Sequence, residues 1–216
     1  MENVYETIEK RWDSGANHYD AVHCAEEDIA PWTAAIGRVL GPDLNKSVLD
    51  VGTGTGFVSL IEAEIGYRTT GLDLSTGMMG VAQKHAEERG VSLLFVHSKV
   101  ESTPFLDDSF DYVTNRCLMW TLLDPVTALA EWRRILKPGG KVVAFVHLSP
   151  GKITRNHYDG NLEEQFPLNG ADKAAFIKAF EDAGLTEVEA IALKELPFSY
   201  SKGSEGNCWH AFVGRK

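Results

Sequence analysis

The feature that most constrains this chain is a run of alternating glycines, Gly52-Thr53-Gly54-Thr55-Gly56, directly after the apolar stretch Ser47-Val48-Leu49-Asp50-Val51. Glycine tolerates positive φ and lets another group approach the backbone closely. A strand that stops at such a loop and opens a helix is the start of a βα unit. The helix N-terminus then offers unpaired N–H groups to an anion or a polar tail. A tight turn alone would not need three alternate glycines in that place.

The rest of the sequence alternates short β-rich runs with longer amphipathic stretches, which predicts an α/β, doubly wound, mostly parallel sheet. Strands are expected at Ser47 to Val51, Arg68 to Asp73, Val91 to Val96, Phe110 to Asn115 and Lys141 to His147. A helix should run from about Gly56 to Ile65, and a second from a Ser75 cap to Arg89, with Gly90 as its stop. Asp124 as N-cap and Pro125 at the first helical position open another, with Ala128, Leu129 and Trp132 on one face and Lys137-Pro138-Gly139-Gly140 as its stop. A further helix is expected from Ala171 to Ala183. Thr186 to Leu193 and Cys208 to Gly214, joined by a glycine-containing loop, read as an antiparallel pair. Residues 1–45 are expected to be a helical lid segment, outside the alternation, on one domain completed by residues 46–216.

Composition narrows the function. The chain of 216 residues has a formal net charge of -10, with 44% hydrophobic and 24% charged residues. An acidic surface does not attract phosphate backbones, so nucleic acid is not an expected partner. No apolar run is long enough to span a bilayer, and the first residues do not read as a secretory signal. Cys24, Cys117 and Cys208 are scattered, fit neither a disulfide framework nor a metal site, and read as reduced residues. The expected location is the cytoplasm, as a monomer or homodimer, with no metal.

Asp73 falls about 20 residues beyond the loop, at the end of the second strand, where a carboxylate can accept both hydroxyls of a ribose. Loop and acid together indicate an adenosine-type nucleotide. A dinucleotide fold prefers a third glycine where Phe57 stands, and the compact loop makes little provision for a pyrophosphate.

Longer stretches carry a resemblance. Val48 through Gly56, Gly71-Leu72-Asp73-Leu74-Ser75, Pro104 through Asp111 and Leu136-Lys137-Pro138-Gly139-Gly140 are similar to successive motifs of the class I S-adenosylmethionine-dependent methyltransferases. The likeness is to the broad small-molecule group that includes the ubiquinone and menaquinone C-methyltransferases. Trp12, Ala16, Tyr19 and Asp20 resemble that group's W-x-x-x-A-x-x-Y-D opening. The resemblance implies a Rossmann-like seven-stranded sheet with an antiparallel C-terminal strand pair, S-adenosylmethionine as cofactor, and a small-molecule methyl acceptor. It implies that Gly52, Thr53, Gly54 and Gly56 cradle the methionine part, that Asp50 reaches its amino group, and that Asp73 holds the ribose. Leu74 and Met78 would flank the adenine, Asn115 and Arg116 would face the methionine end through their backbone, and Tyr19 would belong to the lid. Where relatives carry an aspartate for the adenine amino group, this chain has Lys99, which cannot accept that hydrogen bond; Val100 or Glu101 is expected to substitute.

Methyl transfer is an in-line displacement, so the protein mainly aligns the acceptor and excludes water. A base is needed only for an acceptor that arrives protonated. The candidates are His18, Tyr19 and His23 in the lid segment, His147 past the fifth strand, and His157 with Tyr158 beyond it; Trp120 is a candidate wall of the acceptor pocket. Asn115-Arg116-Cys117-Leu118 stands where methyltransferases of exocyclic or amide nitrogens often carry a double-proline motif, which favours a small acceptor. The alternatives are a non-catalytic S-adenosylmethionine-binding module and an NAD-dependent oxidoreductase of related fold.

Overall fold

A computed structural model describes residues 4–148, 158, 162–196 and 208–216. Helix α1 (Val4–His23) and helix α2 (Ile29–Leu40) precede the alternation. Then follow β1 (Ser47–Val51), α3 (Phe57–Ile65), β2 (Arg68–Asp73), α4 (Thr76–Arg89), β3 (Leu94–His97) and β4 (Phe110–Arg116). The chain continues through α5 (Pro125–Ile135), β5 (Leu136–Leu148), α6 (Lys173–Asp182), β6 (Thr186–Leu193) and β7 (Cys208–Arg215). The strands form one seven-stranded sheet in the order β3-β2-β1-β4-β5-β7-β6. β1 through β5 pair in parallel, and β7 is antiparallel to both β5 and β6. The sheet is the Rossmann-like one expected.

Strand periodicity builds a core on each face. Successive side chains of a strand point to opposite sides. In β5, Val142, Ala144 and Val146 pack with Trp132 of α5 and Phe176 and Phe180 of α6, whereas Val143 and Phe145 pack with Trp32 and Ile36 of α2 and Phe57 of α3. A strand covered on both faces needs a continuous apolar run rather than alternation, and Val142 to Val146 is such a run. β7 is divided the same way, Phe212 to one core and Trp209, Ala211 and Val213 to the other.

Caps fix the helix starts. Ser75 accepts from the Met78 N–H, Asp124 from the Thr127 N–H, and Asp172 from the Ala175 N–H. The last of these moves the start of α6 to Lys173, two residues later than the apolar pattern predicts, because a capping residue lies outside the helix. Two further boundaries differ. β3 begins at Leu94 rather than Val91, since Val91 N–H closes the end of α4 by bonding to the Ala86 carbonyl at 2.9 Å. β5 begins at Leu136, paired with Phe110, and the ladder then shifts so that Tyr112 faces Lys141. The Lys137–Gly140 stretch thus ends the helix and also bulges from the strand. Gly140 is needed there, because a Cβ would lie 2.7 Å from the Asp111 carbonyl oxygen. Residues 197–207 of the loop between β6 and β7, His157 and most of the stretch from Leu148 to Leu168, expected from the sequence to help choose the acceptor, lie outside the described residues.

Candidate active site

At the C-terminal ends of β1, β2 and β4, under α1, the protein forms one cavity. Open α/β sheets bind ligands at this edge, where strand order reverses; here β1 has β2 on one side and β4 on the other. The loop glycines take the left-handed backbone they were expected to need, with φ of 65° at Gly52 and 56° at Gly54. The Gly54 N–H donates to Asp73 Oδ2 at 2.8 Å, and the Ser75 N–H donates to Asp73 Oδ1 at 2.8 Å. Asp73 therefore ties the glycine loop to the head of α4 and still has lone pairs to offer.

Asp50, Gly52, Thr53, Gly54, Asp73, Leu74, Met78, Val100, Glu101, Arg116, Tyr19 and His147 all line the cavity. Four expected residues do not; one is Tyr158, which is buried and accepts the Trp12 indole N–H at 2.9 Å. Gly56, with φ of 87°, forms the N-cap of α3, and a Cβ there would sit 3.0 Å from the Ala82 Cβ; it permits α3 and α4 to pack. Asn115 is fully buried in the sheet, with neither amide atom hydrogen-bonded. His18 is exposed on α1 and is not brought to the cavity. Trp120 and His23 line the cavity, with the His23 ring stacked on Tyr19 at 4.3 Å.

Below the loop lies a buried acidic pair. Burial pushes the Asp50 carboxyl up to about 7, and the nearby Asp73 charge adds to the rise. Burial also pushes Glu62 well above the usual carboxylate range, with Asp50 as its charged neighbour. Neither Glu62 oxygen has a hydrogen-bond partner. Asp73 is raised too, by burial first, while its bonds to Ser75 and Gly54 pull the other way.

The lid is docked. Asp13 of α1 accepts at one oxygen from Ser75 Oγ (2.6 Å) and from the Gly77 N–H (2.8 Å). A Cβ on Gly77 would lie 2.9 Å from the Asp13 backbone, so this glycine sets how closely α1 approaches. Asp20 meets His85 of α4 at 2.8 Å, and Glu9 meets His97 at 3.3 Å. At the other end Lys99 lies over the Tyr5 ring at 3.8 Å, and Tyr5 donates to Glu101 at 3.4 Å. The Val100 carbonyl accepts the Trp132 indole N–H at 2.8 Å. Asp13→Ala removes two charge-assisted bonds, about 1–3 kcal/mol of docking energy. The expected result is faster proteolysis within α1 and roughly tenfold weaker binding of S-adenosylhomocysteine, read by calorimetry.

Sequence reasoning missed the cavity residues Tyr5, Asp28, Trp32 and Trp209, and also Asp13, which docks α1 on Ser75 and Gly77 outside the cavity lining. No local motif marks them, since they come from α1, α2 and β7 and meet only in the fold.

The cavity carries the carboxylates of Asp28, Asp50, Asp73 and Glu101, while its cations are Lys99, beside Tyr5, and Arg116. A pyrophosphate at the glycine loop would face Asp50 and Asp73, which repel it. A cationic group there meets those same carboxylates favourably. The residues thus fit the ammonium and sulfonium of S-adenosylmethionine and do not fit a dinucleotide.

Fold and site together define a Rossmann-like protein with a nucleoside-binding cavity that favours a cationic ligand. A Methyltransferase domain family matches residues 49–144. The chain is 32% identical over 192 residues to a demethylmenaquinone methyltransferase of Bacillus subtilis, covering 85% of this chain and 81% of that one. It is 34% identical over 131 residues to a demethylmenaquinone methyltransferase of Clavibacter sepedonicus, covering 59% of this chain and only 52% of the relative. Among solved structures, a phosphoethanolamine N-methyltransferase 2 of Haemonchus contortus, with phosphomonomethylethanolamine and S-adenosylhomocysteine bound, superposes with a TM-score of 0.77 at 18% identity, over 100% of this chain and 60% of that one. This chain belongs to the class I S-adenosylmethionine-dependent methyltransferases, in the group that holds the quinone methyltransferases. Its cofactor is S-adenosylmethionine.

Proposed function

We propose that this protein transfers the methyl group of S-adenosylmethionine to a flat small-molecule acceptor of the quinol type. The observation that carries the reading is that one cavity runs from the Asp73 and glycine-loop end to a wall of aromatic side chains, Trp120 and Trp209 among them. Flat rings bury large areas against such walls. The relatives named for demethylmenaquinone support a ring acceptor for this chain as well.

Asp73 would hold the ribose hydroxyls, and Gly52, Thr53 and Gly54 would border the methionine part. Asp50 lies where an ammonium would be placed, and Leu74 and Met78 would border the adenine. Glu101 and the Val100 backbone would complete the adenine end in place of the aspartate that Lys99 replaces. When bound, the sulfonium supplies an already activated methyl group. The chain's own work is to orient the acceptor, to exclude water with α1, and to take up a proton where the acceptor carries one. His147, whose ring packs edge-on against Trp209 at 5.5 Å, and Tyr19 are cavity candidates for proton handling.

Among the described residues no helix is long and apolar enough to cross a membrane. The negative net charge supports a partner set without nucleic acid, and we place the protein in the cytoplasm as a monomer or homodimer. The test is a thermal-shift titration followed by an acceptor panel. S-adenosylhomocysteine at about 100 times its Kd should stabilise the protein by about 2.7 kcal/mol. Quinols and phenols should release S-adenosylhomocysteine from S-adenosylmethionine. A shift without transfer to any acceptor would favour a non-catalytic module, and a shift with NAD alone would sink the reading.

A further inference from the structure

Two charged side chains in the cavity, those of Asp28 and Arg116, take no part in the cofactor contacts proposed above. Arg116 closes β4, two strands across the sheet from Asp73, roughly 10 Å away by strand spacing. Its guanidinium lies 4.2 Å from the Phe57 ring centroid, 5.0 Å from Trp32 and 5.4 Å from Trp209. Those rings come from α3, α2 and β7, so three separate elements fix the charge in place. A guanidinium has five N–H donors. Nη2 donates to the His23 carbonyl at 2.9 Å, and Nε has no acceptor.

Asp28 enters the same cavity from the head of α2 and is only 6% exposed. Its side chain makes no capping bond to that helix. Burial raises its carboxyl above the usual value, with the Arg116 charge opposing. A buried carboxylate that caps nothing, lining a cavity that a fixed cation also lines, is suited to moving a proton.

We propose that Asp28 and Arg116 form the proton-handling pair of the acceptor site, Asp28 taking the proton of a ring hydroxyl and Arg116 holding the oxygen anion that remains. This rests on the methyltransferase reading above. The hydroxyl O–H bond breaks, its proton goes to an Asp28 oxygen, and its electron pair stays on the acceptor. That pair, on oxygen or on a conjugated ring carbon, forms the bond to the methyl carbon as the methyl–sulfur bond breaks and leaves its pair on sulfur; a methylated ring carbon then loses its hydrogen as a proton while the oxygen takes one up, which restores the ring. Asp28 then returns the proton to solvent. The two charges select against other acceptors. A cationic amine meets Arg116, and a carboxylate already ionised meets Asp28, whereas a neutral hydroxyl can donate to one and ionise against the other.

The probe is 4-nitrophenol, whose anion is coloured, with 4-nitroanisole as the partner that cannot ionise. Both are titrated into protein saturated with S-adenosylhomocysteine, and the cofactor's thermal shift is read before either is added. The wild-type protein should bind nitrophenol as its anion at a pH where the free probe is mostly protonated, and at least about tenfold more tightly than nitroanisole. Arg116→Met should lose at least about tenfold for nitrophenol and nothing for nitroanisole. Arg116→Lys, which keeps the charge, should retain the anion and covers the case in which the methionine variant does not fold. Asp28→Asn should bind the nitrophenol anion as tightly or more tightly, because a like charge is gone, yet release S-adenosylhomocysteine with phenol and quinol acceptors at least about tenfold more slowly. A purely structural role would weaken binding and turnover together. Unchanged anion binding in Arg116→Met or Arg116→Lys lost alongside it, unchanged turnover in Asp28→Asn, or weakening of both properties in Asp28→Asn would overturn the pair. Failure of the wild-type protein to respond to S-adenosylhomocysteine would instead overturn the methyltransferase reading itself.

Discussion

Replacing Asp73 by alanine is expected to weaken S-adenosylhomocysteine binding by about 100-fold or more, read by calorimetry. The carboxylate stands at the end of β2 with each oxygen already receiving one backbone N–H, from Gly54 and from Ser75. Hydrogen bonds to a charged group contribute about 1.5–3 kcal/mol each, and a ribose diol would make two. The alanine variant loses both and also frees the Gly54 N–H that sets the loop. Asp73→Asn should fall between the two, because one carbonyl oxygen remains while the amide cannot accept at its nitrogen. Equal affinity in the wild-type and alanine proteins would remove Asp73 from the cofactor site.

The second large effect is a gain in stability. Glu62 is fully buried in α3, has no hydrogen-bond partner at either oxygen, and faces the Asp50 carboxyl. An unsatisfied buried polar group costs about 1–3 kcal/mol, and a leucine of similar size removes that cost. Glu62→Leu should therefore raise Tm, by about 3 °C for each kcal/mol in a chain of this size. The benefit should depend on pH. Glu62 in the folded protein holds its proton above its usual value of 4.5. The folded state thus binds more protons than the unfolded one in that range, and stability is lost as pH rises from about 4.5 through the raised folded value. The gain from Glu62→Leu should grow over that window in chemical denaturation, while Asp50, raised from 3.8 to about 7, loses its own contribution between those values. A gain independent of pH would mean that Glu62 is ionised in the folded state.

The elements were legible where a local rule decides them. β1 occupies Ser47–Val51, as its apolar run and the glycine after it require, and β2 occupies Arg68–Asp73, ahead of the Ser75 cap. Asp124 and Pro125 begin α5 as capping chemistry demands. Boundaries moved where a helix-closing bond competed with the strand pattern, as when the Val91 N–H closed α4 instead of entering β3. The site divided along the same line. Asp50, Asp73 and the glycines at 52 and 54 are close in sequence or fixed by one strand–loop–helix unit, and the fold brings them to one cavity. Gly56, in the same glycine loop, serves helix packing, and Asn115, at the end of β4, faces the sheet interior. His18 could not be placed by spacing alone, because helical periodicity gives a face only after the docking partner is known.

The sequence by itself determined the doubly wound sheet, the positive-φ loop and the carboxylate at the end of β2, since strand period, glycine conformational freedom and capping act over a few residues. Only the tertiary structure decided what stands around the rest of the cavity. Asp13 reaches Gly77 across 64 residues, and Arg116 lies over rings at positions 32, 57 and 209. The energies of such contacts depend on distance and burial, and neither is encoded in any short stretch of chain.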